Sequence, residues 1–142
     1  MPVPRLVREI MTAQVSTIDH DAKLLDAVLI LRSSGFRHLP VVKDGRLAGL
    51  LSDRDVQRAA PSLFGEVTQE EYNRIFETTP VSRVMARETI TVTPDTPISD
   101  AVSLMREHKY GALPVVDADG QLAGIVTTID CLRLLHALLT ES

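Results

Sequence analysis

The chain has 142 residues, of which 44% are apolar, and a formal net charge of −4. This length is enough to bury one compact core, and the composition excludes extensive disorder. The acidic balance gives no general attraction for nucleic acid, and no apolar stretch reaches the length of a membrane-spanning helix, so we expect neither partner.

The first eleven residues carry Arg5, Arg8 and Glu9 and are too charged for a signal peptide, so we expect a cytoplasmic protein. The single Cys131 lies in an apolar helical stretch, which indicates a small core residue rather than a nucleophile. The four scattered histidines provide no ligand set at metal spacing. Neither a catalytic triad nor a phosphate-binding loop is visible, so we do not expect an enzyme.

The first half begins with charged and short apolar segments and continues with a helix whose core face is Leu24, Ala27, Val28 and Leu31, spaced i, i+3, i+4, i+7. Gly35 ends this helix. The sequence around Asp44 and Gly45 predicts the turn of an antiparallel hairpin. The predicted elements are a lead-in helix over 4–10, a strand over 15–18, the helix from 24, strands over 38–42 and 47–51, and a helix over 53–59 that ends at Pro61.

The second half repeats this order. Pro97 suits the first position of a helix capped by Thr96. The predicted elements are a strand over 89–92, a helix over 97–108, strands over 112–116 and 121–127, and a helix over 128–139. Two interpretations of the last helix stay open, a partner surface or a buried C-terminal helix, because its leucines form a wide face: Leu132, Leu135, Leu138 and Leu139.

Between the halves lies a segment, 61–80, that is not a flexible linker by composition. The sequence from Thr68 to Glu71 predicts a capping box, and Tyr72 and Phe76 fall on one face of the helix that follows. Phe64 adds a third aromatic residue. We favour a helix that covers its own core over one that forms a partner surface.

The chain contains an internal duplication. Residues 11–40 match residues 85–114 at an offset of 74, and one extra residue in the second turn moves the offset to 75 from Gly45 and Gly120 onward. The matching segments include Asp26–Val28 with Asp100–Val102, Leu39–Val42 with Leu113–Val116, and Leu47–Gly49 with Leu122–Gly124. Each copy is small for a self-sufficient core, so we expect the two halves to pack on each other.

Both copies end an apolar strand with a hydroxyl residue followed three positions later by aspartate, Ser52 with Asp55 and Thr127 with Asp130. Such a spacing caps a helix. It also places a hydroxyl and free backbone N–H groups where an anion such as phosphate is favoured, with a carboxylate suited to a ribose diol. Both interpretations stay open for these residues.

The repeated order of a strand, a helix, Leu-Pro-Val-Val and Gly-hydrophobic-hydrophobic-Ser/Thr-x-x-Asp resembles a tandem pair of cystathionine-β-synthase (CBS) domains. The sequence of Ser52–Val56 resembles that of the stand-alone bacterial type typified by the acetoin utilisation protein. The resemblance implies an α+β fold of two β-α-β-β-α repeats, related by a pseudo-twofold axis in one Bateman-type module. The repeats then span 7–60 and 81–139, with the helical segment 61–80 between them.

In that family the clefts between the repeats often hold adenine nucleotides or related adenosyl ligands. By motif, Asp55 and Asp130 would bind ribose hydroxyls, and Ser52 and Thr127 would orient ribose or phosphate. Backbone near Ser16 and Ile90 would meet the base. The residues that precede or form Leu-Pro line the same clefts: Arg37, His38 and Pro40 in the first copy, and Gly111, Ala112 and Pro114 in the second.

The two predicted clefts differ in charge. Arg37, His38 and Arg54 belong to the first, whereas Gly111, Ala112 and Ile129 are their counterparts in the second. Because a guanidinium is a permanent cation with a planar set of donors, we expect the first cleft to prefer phosphate-rich ligands. The second would hold a less charged adenosyl group or stay empty.

The resemblance therefore implies a regulatory module that binds AMP, ADP, ATP or S-adenosylmethionine, needs no cofactor, forms a homodimer and regulates a protein that the sequence does not identify. The alternative is a structural or dimerisation scaffold in which both Ser/Thr-x-x-Asp motifs act only as helix caps.

Overall fold

The computed structural model of the chain describes residues 3–60 and 67–141. They form an α+β fold that divides into two compact units. Ser16–Glu88 is the first-repeat unit, and Met1–Val15 together with Thr89–Ser142 is the second-repeat unit. Within the described ranges, no helix has both the length and the apolar character needed to cross a membrane.

The first-repeat unit is a three-stranded sheet with its helices. Its elements are β1 (Ile18–Asp19), α1 (Leu24–Ser34), β2 (His38–Lys43), β3 (Arg46–Ser52), α2 (Asp53–Ala59), α3 (Gln69–Thr78) and a 3₁₀ turn at Val81–Arg83. The central strand β2 pairs in parallel with β1 and antiparallel with β3. The predicted hairpin is confirmed, and Gly35 ends α1 with a φ of 74°. Strand β1 begins later than the predicted 15–18.

The second-repeat unit repeats the hairpin and the two helices. Its elements are a 3₁₀ turn at Val7–Glu9, α4 (Ile98–His108), β4 (Ala112–Val116), β5 (Leu122–Thr127) and α5 (Thr128–Thr140). Where a strand was predicted over 89–92, a single parallel bridge joins Val92 to Val115. The predicted lead-in helix over 4–10 is only the 3₁₀ turn.

Helix α4 starts differently from the prediction. Pro97 is its N-cap rather than its first helical residue, and no side chain caps it. The hydroxyl oxygen of Thr96 accepts a hydrogen bond from the Thr93 amide at 2.9 Å instead. The amide of Ile98 donates to the carbonyl of Arg5 at 2.7 Å, so backbone from the N-terminal segment satisfies this helix end.

Each unit includes a segment that the sequence repeat assigns to the other copy. Thr12 exchanges two backbone hydrogen bonds with Ile125 at 2.9 and 3.0 Å, and Ala86 exchanges two with Leu50 at 2.9 and 3.0 Å. These segments pair with β5 and β3, whose outer edges would otherwise expose unpaired backbone groups. The compact units therefore cross the boundaries of the duplicated sequence.

The close approach of these segments explains the repeated glycine of the Leu-Ala-Gly sequences. A Cβ atom on Gly49 would lie 2.5 Å from the carbonyl oxygen of Ala86. A Cβ atom on Gly124 would collide with the carbonyl oxygen of Thr12. At both positions only glycine leaves room for the neighbouring backbone.

Each unit has its own hydrophobic core. The first is built around the buried residues Leu39, Val41 and Leu51. The second is built around their counterparts Leu113, Val115 and Val126. Cys131 packs against the second core, as the sequence indicated, and burial followed by the charge of Asp130 raises the pKa of its thiol.

Helix α3 packs on the core of its own unit. Phe76 contacts the first core, and its ring centroid lies 5.0 Å from that of Tyr72. The hydroxyl oxygen of Thr68 accepts from the Glu71 amide at 3.1 Å, so one bond of the predicted capping box forms; among the described residues the Glu71 side chain does not return the second bond. These contacts support the interpretation that α3 covers its own core. Pro61 and Phe64 lie outside the described residues.

Helix α5 exposes its leucines. The exposed fractions are 56% for Leu132, 50% for Leu135, 38% for Leu138 and 75% for Leu139. These side chains therefore do not form the buried face of a C-terminal helix.

Candidate functional site

The two Ser/Thr-x-x-Asp motifs lie where a strand passes directly into a helix. At the junction of β3 and α2, the amide of Asp55 donates to the hydroxyl of Ser52 at 3.1 Å, and the amide of Ser52 donates to Oδ2 of Asp55 at 2.9 Å. At the junction of β5 and α5, Thr127 and Asp130 make the same pair of bonds at 3.2 and 2.8 Å. Both motifs are therefore capping boxes.

Capping uses only one oxygen of each carboxylate. Oδ2 of Asp130 accepts from both the amide and the hydroxyl of Thr127, whereas Oδ1 lies 3.9 Å from the guanidinium of Arg133. Among the described residues, Oδ1 of Asp55 accepts no hydrogen bond. Each junction thus presents a carboxylate oxygen, held in place by the cap, that can still accept from a ligand hydroxyl.

The helix amides are less available than the sequence suggested. The amide of Asp53 donates to the carbonyl of Arg37, and that of Thr128 to the carbonyl of Gly111, both at 3.0 Å. Because the third amide of each helix donates to the capping hydroxyl, only the second, in Arg54 or Ile129, has no acceptor within the described ranges. The expectation of several free N–H groups for phosphate is wrong at both junctions.

In the first-repeat unit, strand pairing brings His38 and Pro40 to the junction. His38 lies opposite Ser52 in the register of β2 and β3, and Pro40 lies opposite Leu50. Burial lowers the pKa of His38, and the nearby charge of Asp55 opposes that decrease. The strand register therefore places His38 beside the residue that caps α2.

The structure places Arg37 in different surroundings. Its side chain lines a cavity of about 380 Å³ formed with α1, α2 and α3, which also includes Asp53 and Phe76. Arg54 is exposed at the second position of α2. Of the two cations predicted from the sequence for this site, Arg54 is the one on the helix that the capping box begins.

The second-repeat unit builds its junction from smaller and less polar residues. Ala112 lies opposite Thr127, and Pro114 lies opposite Ile125. Both Ala112 and Pro114 are buried, and Gly111 is half-buried. Sequence reasoning missed Arg133 beside Asp130; the spacing of three residues along α5 was the available signal.

Ser16 and Ile90 precede the paired part of their segments. Ser16 is exposed two residues before β1, and Ile90 is half-buried two residues before the bridging residue Val92. In each unit the strand register places the Leu-Pro strand beside the capping hydroxyl residue, whereas a role of Ser16 or Ile90 at that site stays a prediction.

Within residues 3–60 and 67–141, one group of potential metal ligands occurs, at Asp19, His20 and Asp21. The two ring nitrogens of His20 face different carboxylates, Nδ1 that of Asp19 at 3.3 Å and Nε2 that of Asp21 at 3.2 Å. The amide of Asp21 also donates to Asp19 at 2.9 Å. A hydrogen-bonded turn accounts for this cluster.

The CBS domain model matches residues 7–62 and 81–137, so the chain belongs to the CBS domain family and carries two copies of the domain. A CBS domain-containing protein of Dictyostelium discoideum is 36% identical, over 92% of this chain and 90% of that protein. The CBS domain-containing protein YhcV of Bacillus subtilis is 32% identical, over 87% of this chain and 81% of its own length.

Solved structures of CBS pairs share the fold. The pair of protein MJ0100, in complex with 5′-methylthioadenosine and S-adenosyl-L-methionine, has a TM-score of 0.79 at 26% identity, covering 96% of this chain and 99% of that one. The acetoin utilisation protein AcuB of Vibrio cholerae has a TM-score of 0.77 at 32% identity, covering 94% and 92%. CBSX2 in complex with AMP has a TM-score of 0.78 at 29% identity, covering 95% and 98%.

Proposed function

We propose that this CBS pair is a regulatory module that senses an adenosyl ligand at the two strand-to-helix junctions. One observation carries the proposal: Asp55 and Asp130 each cap a helix through Oδ2 and keep Oδ1 for another donor. A role in capping alone does not require the second oxygen. MJ0100 and CBSX2, which share the fold, are complexed with S-adenosyl-L-methionine and AMP, and these ligands have ribose in common.

In this proposal, Asp55 and Asp130 accept hydrogen bonds from the ribose hydroxyls. Ser52 and Thr127, whose hydroxyls are fixed by the capping bonds, orient the sugar or its phosphate. The ligand is AMP, ADP, ATP or S-adenosylmethionine. A ligand regulates such a module only when it binds two conformations with unequal affinity, so sensing requires that the bound state differ from the free one.

The two junctions are expected to differ in ligand preference. Arg54 and His38 at the first correspond to Ile129 and Ala112 at the second. The first therefore favours ligands that carry phosphate, and the second favours a less charged adenosyl group. Since Arg37 lines the cavity that α1 and α3 also bound, the preference for phosphate is assigned to Arg54 and His38.

Calorimetric titration of the nucleotide-free protein with AMP, ATP and S-adenosylmethionine tests the function. Saturable binding is expected, with AMP and ATP favouring the first junction. Arg54→Ala should weaken AMP binding there by about tenfold, as for the loss of one charge-assisted contact, and Arg37→Ala should leave it unchanged. Absence of heat and of any thermal shift with all three ligands would instead favour the scaffold, in which the motifs are caps only.

We further propose that α5 forms the interface of a homodimer. Leu132 and Leu135 are exposed, whereas the corresponding residues, Gln57 in α2 and Ala60 at its C-cap, lack large apolar side chains. The shared fold therefore does not require leucine at these positions. An exposed apolar stripe on a helix is typical of a surface that is covered by a partner.

Sedimentation analysis of Leu132→Glu and Leu135→Glu tests the dimer. Each charge should weaken self-association at least tenfold, because it places a carboxylate in the apolar contact. Arg133→Glu adds a negative charge to the same helix away from the stripe and should leave the dimer intact. A wild-type protein that sediments as a monomer at high concentration would contradict the proposal.

A further inference from the structure

A proline marks the point at which parallel pairing ends in the second-repeat unit. The amide of Val92 donates to the carbonyl of Pro114 at 3.0 Å, and the amide of Val116 donates to the carbonyl of Val92 at 2.9 Å. In a parallel ladder the next bonded residue lies two positions earlier, so the carbonyl of Ile90 would accept from the amide of residue 114. Pro114 has no N–H, and the pairing ends at Val92.

The first-repeat unit has the same arrangement. Ile18 pairs with Val41 in parallel, so Ile18 holds the position that Val92 holds in the other unit. In this register the carbonyl of Ser16 would accept a hydrogen bond from the amide of residue 40, which is again proline. Strand β1 accordingly begins at Ile18.

Both prolines turn their backbone toward this missing partner. Pro114 lies opposite Ile125, which exchanges both of its hydrogen bonds with Thr12 on its other side. Such a pair is a non-hydrogen-bonded pair of the antiparallel ladder, so the backbone of Pro114 faces away from β5. Pro40 and Leu50 form the equivalent pair in the first-repeat unit. The N–H that each proline lacks would therefore have donated to the parallel segment that precedes Ile18 or Val92.

Among the described residues, neither Ser16 nor Ile90 makes a backbone hydrogen bond. We propose that Pro40 and Pro114 determine the base specificity of the two sites. Because neither proline can donate, the backbone C=O of Ser16 and of Ile90 stays available, beside the unbonded N–H of the same residue, to the edge of an adenine ring. The inference rests on the proposed function and adds a specificity determinant to it.

One backbone N–H beside one backbone C=O matches the hydrogen-bonding edge of adenine and not that of hypoxanthine. Adenine presents the acceptor N1 beside the donor N6 amino group, which matches one backbone N–H and one C=O. Hypoxanthine presents a donor at N1 and an acceptor at O6, the reverse arrangement. An amide restored at position 40 or 114 would bind the free carbonyl within the protein and so remove the acceptor for the amino group.

Titration of the full chain with AMP, IMP and ribose 5-phosphate tests this inference. The wild type should prefer AMP over IMP. Pro40→Ala and Pro114→Ala should each reduce that preference about tenfold at their own site and leave the affinity for ribose 5-phosphate unchanged, as expected for one lost hydrogen bond. An unchanged preference for AMP in both variants would overturn the inference.

Val41→Ala and Val115→Ala are the controls for shortening a buried side chain in the same strand. These variants lose a similar volume from the neighbouring position without adding an N–H, and they should keep the wild-type preference. In the proline variants the introduced amide should exchange slowly with solvent, because it bonds to Ser16 or Ile90. Fast exchange of that amide would also count against the inference.

Hydrogen exchange of the wild type provides a test that does not depend on the variants folding. The amides of Ser16 and Ile90 should exchange rapidly in the free protein and become protected by AMP but not by ribose 5-phosphate. Equal protection by both ligands overturns the role of the base and leaves the proposed function standing. Failure of AMP, IMP and ribose 5-phosphate to bind at all overturns the function and this inference together.

Discussion

Replacing Asp130 by alanine is expected to weaken adenosyl binding at the second-repeat junction strongly and to destabilise the start of α5. The substitution removes Oδ1, which the ribose would contact, and Oδ2, which accepts from the amide of Thr127 at 2.8 Å. Loss of a charged acceptor for two hydroxyls should lower affinity about 100-fold, and loss of the cap should cost about 1 kcal/mol. Calorimetric titration and urea unfolding measure the two effects separately.

Asp130→Asn is the matched control, since it keeps the shape and one carbonyl oxygen but removes the charge. It should retain more stability than the alanine variant and still bind ligand weakly. Asp55→Ala should produce the same pair of effects at the first-repeat junction and leave the second one intact. Variants that lose stability but keep full affinity would show that the two motifs are caps and nothing more.

Gly124→Ala is expected to cause a large loss of stability in the second-repeat unit. The added Cβ would collide with the carbonyl oxygen of Thr12, a backbone atom that cannot turn aside as a side chain can. The same movement would strain both hydrogen bonds between Thr12 and Ile125. Overpacking of this kind costs about 3 kcal/mol, measured as the free energy of unfolding in urea.

Gly45→Ala separates this collision from the general effect of replacing glycine. Gly45 has a φ of 79°, but a Cβ there would have no neighbour within 4 Å. The expected cost is therefore only the backbone strain, about 1 kcal/mol. Equal losses in the two variants would show that the contact between Gly124 and Thr12 is unimportant. Faster exchange of the Ile125 amide in Gly124→Ala would identify the contact directly.

Much of the fold follows from local patterns that the duplication presents twice. The spacing of Leu24, Ala27, Val28 and Leu31 predicts the core face of α1. Leu24, Ala27 and Leu31 are buried, and Val28 is half-buried. The Asp-Gly turn predicts the hairpin of β2 and β3, because it supplies the positive φ that such a turn requires. The Ser/Thr-x-x-Asp spacing predicts the capping boxes, since each bond joins residues three apart.

The predictions that failed depended on partners distant in sequence. Pro97 was expected to begin a helix capped by Thr96, yet backbone of the N-terminal segment satisfies that end. Free amides were expected at both helix starts, yet the carbonyls of Arg37 and Gly111 accept one at each. No local pattern specifies such bonds, because they form only when the start of each hairpin, or the N-terminal segment, lies beside a helix that begins later in the chain.

The sequence by itself determined the duplicated motifs, the identity of the capping pairs and the family to which the chain belongs, because these depend on residue type and short spacing. Only the tertiary structure decided that Thr12 pairs with Ile125 and Ala86 with Leu50. It also decided where the parallel pairing stops. These features depend on backbone registers between segments far apart in the chain, and a register becomes specific only when buried side chains and unpaired backbone groups are satisfied together.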